Sequence, residues 1–359
     1  MKILCVIDSL GSGGAQRQLV NLALVFKEWG HKVSFLVYHR ENFYKEVLDL
    51  NYIIVNEIIE PNYIRRLFKM RKFIRTGSFD AVLSFLEASN FICEFAGFPF
   101  RKWKLIVGER SANPNIFKSP KLRLYRWFHF FANYVVANSY ENLRMVRKIN
   151  PLLPLKKCKV IYNIVDFEKW KPAIEHKFRE NGKLNITVVA SHQYLKNLNG
   201  LVEAIALLDE DEKKQLRVNW YGGSRNDDSK EKAIKKIEEY KLNNIFSFYE
   251  PSHEIVTKVH SADILGLFSF YEGLPNVICE AMAARKTVIA SNVSDIPHLI
   301  NNTNLLFNPY SSKDISKVLK YILSLSSLEN KTISDRNYSF ARETFDKDKI
   351  TNEYIDLFQ

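Results

Sequence analysis

The chain has little that would staple it or anchor it. Only four of its 359 residues are cysteine, and Cys5, Cys93, Cys158 and Cys279 are scattered with no CxxC pair. Each lies in or beside a segment that reads as strand or helix. They are expected to be reduced core residues of a cytosolic protein rather than disulfides or metal ligands. No stretch reaches about 18 uncharged apolar residues, so no span across a membrane is expected. The N-terminus, MKILCVIDSLGSGG, lacks an apolar run long enough for a signal peptide. A dinucleotide fingerprint is missing, and no acidic residue ends the second strand-like run, His31–His39, which argues against a nicotinamide enzyme. No Gly-Lys-Ser/Thr follows the first glycine cluster, which excludes a P-loop. No recognised nucleic-acid module appears either. Acidic residues are scarce in one part of the chain. Between Pro61 and Lys157 there are 19 Lys/Arg against 5 Asp/Glu, although the whole chain carries a net charge of only +12. A basic half suggests an anionic partner: an acidic membrane surface, a phosphorylated acceptor or nucleic acid. The alternative is an ordinary solvated basic face.

What is present is an α/β pattern. At 46% apolar and 13% aromatic, 359 residues predict roughly two domains with sizeable cores. Lys2–Asp8 reads as a buried parallel strand. A glycine loop and a helix with Leu19, Leu22, Ala23 and Phe26 on one face follow it, and Gly30 closes that helix. Strand patterns recur at Tyr52–Ile59, Asp80–Phe85, Lys104–Gly108, Tyr134–Asn138 and Lys159–Ile164, with helical patterns between them. A second series begins at Asn185–Ala190. The alternation predicts two doubly wound, Rossmann-like parallel sheets. Boundaries are expected at 1–165, 166–340 and 341–359. The tail from Asp335 to Gln359 reads as one long helical segment that docks back on the N-terminal domain.

The most informative stretch is Phe270 to Asp295. Glu272 and Glu280 flank Gly273-Leu274-Pro275-Asn276. Gly273 permits unusual backbone angles and Pro275 suits the first turn of a helix. Glu272 is therefore expected in a loop before a helix, with Glu280 on its second turn. A helix start attracts anions. The arrangement suits a nucleotide-sugar, with diphosphate at the helix start and the two carboxylates on hydroxyls. A surface helix with two solvated glutamates is the alternative. Gly13-Gly14 is a second site of this kind, offering close backbone approach at a helix start, or else a plain tight turn. Two further helical patterns are basic and aromatic. One carries Arg65, Arg66, Lys69, Arg71, Lys72 and Arg75. The other carries Lys121, Arg123 and Arg126 beside Trp127. Such helices suit a membrane interface, or a core-packing face with a solvated basic side.

On these motifs the chain resembles retaining glycosyltransferases of the GT-B fold, family 4, over nearly its full length. Gly11-Ser12-Gly13-Gly14-Ala15-Gln16-Arg17 is similar to that family's N-terminal loop, and Val189 to Lys196-Asn197 to its Arg/Lys segment. Glu272-Gly273-Leu274-Pro275 with Glu280-Ala281-Met282-Ala283 matches its E-x7-E signature. The resemblance implies a nucleoside-diphosphate sugar donor, with UDP the preferred nucleotide. It places Lys196 on the diphosphate, Glu280 on the ribose, Glu272 on the sugar, and Tyr249-Glu250-Pro251 at the base. Gly13, Gly14 and the backbone from Gly273 to Asn276 would donate N–H groups. No DxD motif lies at a strand end, so no metal or other cofactor is expected. The chain departs from the family pattern at Ser191, where an arginine is usual; Arg110 or Arg225 is the expected substitute. It departs again at Asn163-Ile164 and at Arg285, positions where glycine is common, and at Gly108-Glu109-Arg110-Ser111, where many relatives carry a histidine. Arg110 or Glu109 is expected to fill that last role, with His192 and His129 as further candidates. The implied activity is hexosyl or N-acetylhexosaminyl transfer onto a lipid-linked saccharide at the cytoplasmic face of a membrane. Transfer to a soluble acceptor, a nucleotide-sugar epimerase and a nucleic-acid binder are the alternatives.

Overall fold

A computed structural model describes residues 1–110, 114–173, 177–224, 227–252 and 254–359. The chain divides into two compact units, Met1–Ile164 with Lys347–Gln359, and Val165–Asp346. The first contains β1 (Lys2–Val6), α1 (Gly14–Glu28), β2 (Lys32–Val37), α2 (Lys45–Leu50), β3 (Ile54–Glu57), α3 (Tyr63–Thr76), β4 (Ala81–Phe85), α4 (Glu87–Gly97), β5 (Lys104–Glu109), α5 (Pro120–Phe128), β6 (Tyr134–Ala137), α6 (Tyr140–Ile149) and β7 (Cys158–Val160). The second contains β8 (Leu184–Val189), α7 (Leu198–Ala206), α8 (Glu210–Lys214), β9 (Leu216–Tyr221), α9 (Ser229–Glu239), β10 (Phe246–Tyr249), α10 (Ile255–His260), β11 (Ile264–Leu267), α11 (Asn276–Ala283), β12 (Thr287–Ser291), α12 (Ile296–Leu299), β13 (Leu306–Phe307), α13 (Ser312–Ser324) and α14 (Ser327–Thr344). A last helix, α15 (Lys347–Phe358), belongs to the first unit.

Both sheets are parallel and doubly wound. Their orders are β3-β2-β1-β4-β5-β6-β7 and β10-β9-β8-β11-β12-β13. The strands are short apolar runs because both faces are covered, as parallel sheets require. β4 and β12 are buried at every residue. In the first unit, one face of the sheet packs on α1 and α15 through Ile3, Cys5, Phe26, Phe35 and Tyr354. The other face packs through Leu4, Val82, Met70, Ile92 and Val107. All four cysteines are buried and none is in a disulfide. Gly30, at φ +82°, takes the left-handed position that ends α1.

The tail is not one helix. It breaks between α14 and α15, where Phe345 is fully buried. α15 then inserts Ile350, Tyr354, Leu357 and Phe358 into the first unit's core. The Phe358 ring lies 5.7 Å from that of Phe26. At the other end of this unit, the Gln18 side chain donates to the Ile164 carbonyl at 3.0 Å and accepts from its N–H at 2.9 Å. Replacing Tyr354 by alanine is expected to cost about 3–5 kcal/mol, the range for deleting a buried aromatic. Urea unfolding measures this; a loss below about 1 kcal/mol would show that α15 does not complete the core.

Candidate active site

In a doubly wound sheet, ligands bind beyond the carboxyl ends of the strands where the order reverses. In the second unit that point lies between β8 and β11, which are neighbours. The loop after β8 carries Lys196 and the loop after β11 carries Glu272. Topology thus brings together two residues 76 positions apart: Lys196 Nζ lies 2.5 Å from Glu272 Oε1, with the side chains only 17% and 14% exposed. Three local features hold the first loop. Gly222 lets the backbone of Ala190 pass so close that a Cβ there would sit 2.0 Å from its carbonyl oxygen. The Trp220 indole donates to that same carbonyl at 2.7 Å. Asn197 turns left-handed (φ 56°), and its side chain accepts from Gly200 N to start α7. A backbone bond from Phe270 N to Leu195 O, 2.9 Å, ties the two loops together.

α11 begins at Asn276, four residues after Glu272. Pro275 occupies the position before its first residue rather than the first turn, and no side chain caps the helix start. The positive dipole end of such a helix start favours an anion. Gly273 does not adopt positive φ, so its conformation is one that other residues share; its carbonyl accepts from Ser294 Oγ at 2.8 Å. Leu274 is buried as the anchor of the turn. Glu280 lies half-buried on the second turn of the helix. Arg285, at the position where the family pattern has glycine, is left-handed (φ 57°) as it leaves α11. Its guanidinium lies over the Tyr338 ring and 3.5 Å from Asp335. Those contacts offset a strain that glycine would avoid.

The other sequence-chosen residues scatter. Ser191 accepts a bond from Gln193 at 2.9 Å and supplies no charge. His192 is buried, stacked on Trp220 at 5.7 Å and edge-on to Phe248, and neither ring nitrogen has a partner. Burial, helped by Lys230, lowers its pKa to about 4, so the ring is neutral. Tyr249 is half-exposed and stacks on Tyr221 at 4.7 Å, with Glu250 exposed beside it. Arg225 and Ser111 lie outside the described residues. In the first unit, Gly13 precedes α1 in extended conformation and Gly14 is its first residue. A Cβ at Gly13 would meet only the flexible Gln16 side chain. Arg110 follows β5. It donates to Asn163 at 3.2 Å and to the Tyr354 hydroxyl, and it lies over the Phe85 ring at 3.8 Å. These partners are neutral.

Glu109, His129 and Arg126 do not face a substrate. They form a buried charge cluster with Glu94 and Glu87. Arg126, fully buried, reaches Glu109 at 2.7 Å and Glu87 at 3.3 Å. His129 bridges Glu94 at 2.7 Å and Glu109 at 3.1 Å. Both the expected membrane role of Arg126 and the catalytic alternatives Glu109 and His129 are therefore corrected: paired ions under α4 and α5 cannot leave without stranding a buried charge. The lone acid in the apolar run Phe91–Gly97 was the sequence signal that a buried cation would be needed. Among the other basic candidates, Arg65, Lys72 and Arg123 are exposed, as is Trp127 at 42%. Lys69 pairs with Glu60 at 2.5 Å. Arg66 stacks on Tyr38 and Tyr63, and Arg71 donates to the Phe95 and Ala96 carbonyls.

Two parallel doubly wound units, with an ammonium–carboxylate pair at the switch point of one, define the class of two-unit α/β proteins to which this chain belongs. Residues 12–169 match the family described as Glycosyltransferase Family 4, and residues 171–337 that described as Glycosyl transferases group 1. The chain belongs to the GT-B glycosyltransferases of this type. HepE of Anabaena, solved with UDP, is similar with a TM-score of 0.86 at 18% identity, over 99% of each chain. The same protein solved with UDP-glucose gives 0.83 at 19% identity, over 99% of this chain and 98% of that one. A glycosyltransferase of Rickettsia africae gives 0.82 at 20% identity, over 99% of this chain and 97% of that one. At these identities the likeness carries the fold. By sequence, 120 residues are 34% identical to a Campylobacter jejuni alpha-1,4-N-acetyl-D-galactosaminyltransferase. The name of that enzyme gives a diNAcBac-PP-undecaprenol-linked saccharide as its acceptor. The match covers 31% of this chain and 33% of that enzyme.

The buried cluster makes stability depend on pH. Burial alone would lower the pKa of His129, but the carboxylates of Glu94 and Glu109 raise it from 6.5 to about 9. Burial raises that of Glu94 as well. Burial would raise Glu109 too, but Arg126 and His129 hold it at about 2. The His129 contribution is therefore complete below its ordinary value and lost as pH climbs through 9; that of Glu109 is lost only as pH falls toward 2. Unfolding free energy is predicted to drop by up to about 3 kcal/mol between pH 6.5 and 9. Urea titrations at the two pH values, with His129→Gln as control, measure it. A wild-type stability that does not change across this window would contradict the assignment.

Proposed function

We propose that the chain is a retaining, metal-independent glycosyltransferase. It moves a hexose or N-acetylhexosamine from a UDP-sugar to a lipid-linked, polyprenyl-diphosphate saccharide on the inner face of the cytoplasmic membrane. The observation that carries the donor part is the Lys196–Glu272 pair beside the uncapped start of α11. Before the donor arrives, Glu272 holds the ammonium in place. The donor diphosphate then takes Lys196 and the α11 N–H groups, and Glu272 is released to sugar hydroxyls. Glu280, one turn into the helix, accepts the ribose hydroxyls, and the strand end at Tyr249 and Glu250 takes the base. As the C1–O bond to diphosphate breaks, charge develops on the leaving oxygen. Lys196 and the helix dipole stabilise it there, the role a metal ion would otherwise fill. The acceptor oxygen bonds C1 on the departing face, and its proton ends on the diphosphate. Arg110, positive with neutral partners, is the candidate for the cation that Ser191 does not supply.

The acceptor part is supported by charge and exposure. Arg65, Lys72 and Arg123 project from α3 and α5 with Phe68, Trp127 and Phe130 exposed among them. Basic residues around exposed aromatics suit an anionic bilayer surface. The Campylobacter relative's undecaprenol-linked acceptor agrees with this reading.

Glu272→Ala is expected to abolish sugar transfer in a protein that still folds, with a lowered melting temperature because Lys196 loses its partner. Lys196→Ala should lose about 2–4 kcal/mol of transition-state stabilisation, and EDTA should change nothing. Near-normal turnover by Glu272→Ala would contradict the site, and activity lost in EDTA would contradict the metal-free mechanism. For the membrane, sedimentation with phosphatidylglycerol vesicles should weaken with salt and be lost when Arg65, Lys72 and Arg123 all become glutamate. Equal sedimentation with neutral and anionic vesicles would remove that part and favour a soluble acceptor.

A further inference from the structure

Beside the donor loops, but sharing none of Lys196, Glu272, Glu280 or the α11 start, the second unit has a groove of about 590 Å³. Three aromatic rings line it in a row. Phe270 is in the middle, with Tyr194 on one side at 5.0 Å and Tyr310 on the other at 4.9 Å. Tyr194 and Tyr310 are 71% and 73% exposed. Single exposed rings are common, but exposed rings that contact one another form a contiguous apolar patch, and such patches mark binding surfaces. They are also held from behind. Phe270 N donates to Leu195 O at 2.9 Å, and the Asn197 side chain donates to Pro309 O at 2.8 Å. The backbone segments that bear the three rings are thus fastened before any ligand arrives.

The polar lining opposite the rings is mixed in sign and already ordered. The Glu203 carboxylate accepts from Ser312 Oγ at 2.9 Å and from Lys236. Lys232 pairs with Asp228 at 2.9 Å, and the Asn199 amide donates to Ser229 O. Lys232, Lys235 and Lys236 stand among Glu203 and Asp228, and two of the lysines are already paired to those carboxylates, so a neutral polyol finds both donors and acceptors. Phe270 is stacked with Tyr310 and in tilted contact with Tyr194, with no gap wide enough for a nucleobase between the rings, so the outer ring surfaces are what remains. Aromatic faces beside paired carboxylate, amide, hydroxyl and ammonium groups match a pyranose, which has an apolar C–H face and a polar rim.

We propose that this groove is a second carbohydrate site, which holds a neutral oligosaccharide segment on the outer rows of the Tyr194–Phe270–Tyr310 ladder. It rests on the glycosyltransferase class and not on UDP, the lipid acceptor or retention. Tyr194 and Phe270 stand two residues before Lys196 and Glu272, so the site adjoins the donor loops along the chain and keeps a bound glycan beside them through successive transfers.

Calorimetric titration of the full chain with chitohexaose and with maltohexaose tests this, with UDP titrated separately. At least one oligosaccharide should bind at millimolar concentration. Tyr194→Ala and Tyr310→Ala should each weaken it about tenfold, or about 1.4 kcal/mol. Tyr310→Phe, which keeps the ring, should retain binding within about threefold. UDP affinity should be the same in all of these proteins. The proposal is overturned if neither oligosaccharide binds, if the alanine variants bind as well as wild type, or if Tyr310→Phe loses binding. Displacement of the oligosaccharide by UDP would also overturn it, because the rings would then serve the nucleotide. The oligosaccharide readout does not depend on donor binding, so failure of one reading is distinguishable from failure of the other.

Discussion

A lysine and a glutamate 2.5 Å apart, at the point where a parallel sheet reverses its order, are the constraint on which the second unit's chemistry depends. Neither loop holds the pair alone. The ammonium is placed by a glycine that lets two backbones touch, an indole that clamps one of them, and an asparagine in left-handed conformation. The carboxylate is placed by a buried leucine and by the helix that follows it. Because β8 and β11 are neighbours, these separate local solutions meet. The pair also has a thermodynamic consequence. A carboxylate that neutralises the lysine before the donor binds keeps a mostly buried cation from standing unpaired, and it leaves the lysine ready for a doubly charged leaving group.

The first unit solves a different problem. It carries most of the chain's positive charge, yet it buries part of that charge. Arg126 and His129 are fixed beneath α4 and α5 by three glutamates. This takes two basic side chains out of solvent, while others, Arg65, Lys72 and Arg123 among them, stay exposed. The α15 helix completes the unit. Its Tyr354 is both a core residue and the hydroxyl that receives Arg110. The charge at the end of β5 is therefore coupled to the docking of the last helix.

Much of this was legible in the sequence because it is local. Strand-and-helix alternation gave two parallel sheets, and the spacing of Glu272 and Glu280 around Pro275 gave a loop, a helix start and a second-turn carboxylate. What was not legible was non-local. Nothing near Arg126 distinguishes it from Arg123, three residues away; only the arrival of Glu109 and Glu87 from other elements buries one and leaves the other in water. Tyr354 gave no sign of meeting Arg110, 244 positions earlier. The break at Phe345 follows from that ring's burial, not from a proline or glycine. The row of Tyr194, Phe270 and Tyr310 comes from three loops, and no periodicity announces it.

The central claim is that the second unit holds a nucleotide-sugar at Lys196 and Glu272. It is tested most directly by thermal melting of the wild-type chain against a panel of nucleotide-sugars, with no acceptor present. A ligand that binds only the folded state stabilises it by about 2.7 kcal/mol at a hundred times its Kd. The account predicts that a UDP-sugar raises the melting temperature and that the Lys196→Ala protein, which still folds, shows a much smaller rise above its own ligand-free value. A wild-type melting temperature that no nucleotide-sugar moves would contradict it.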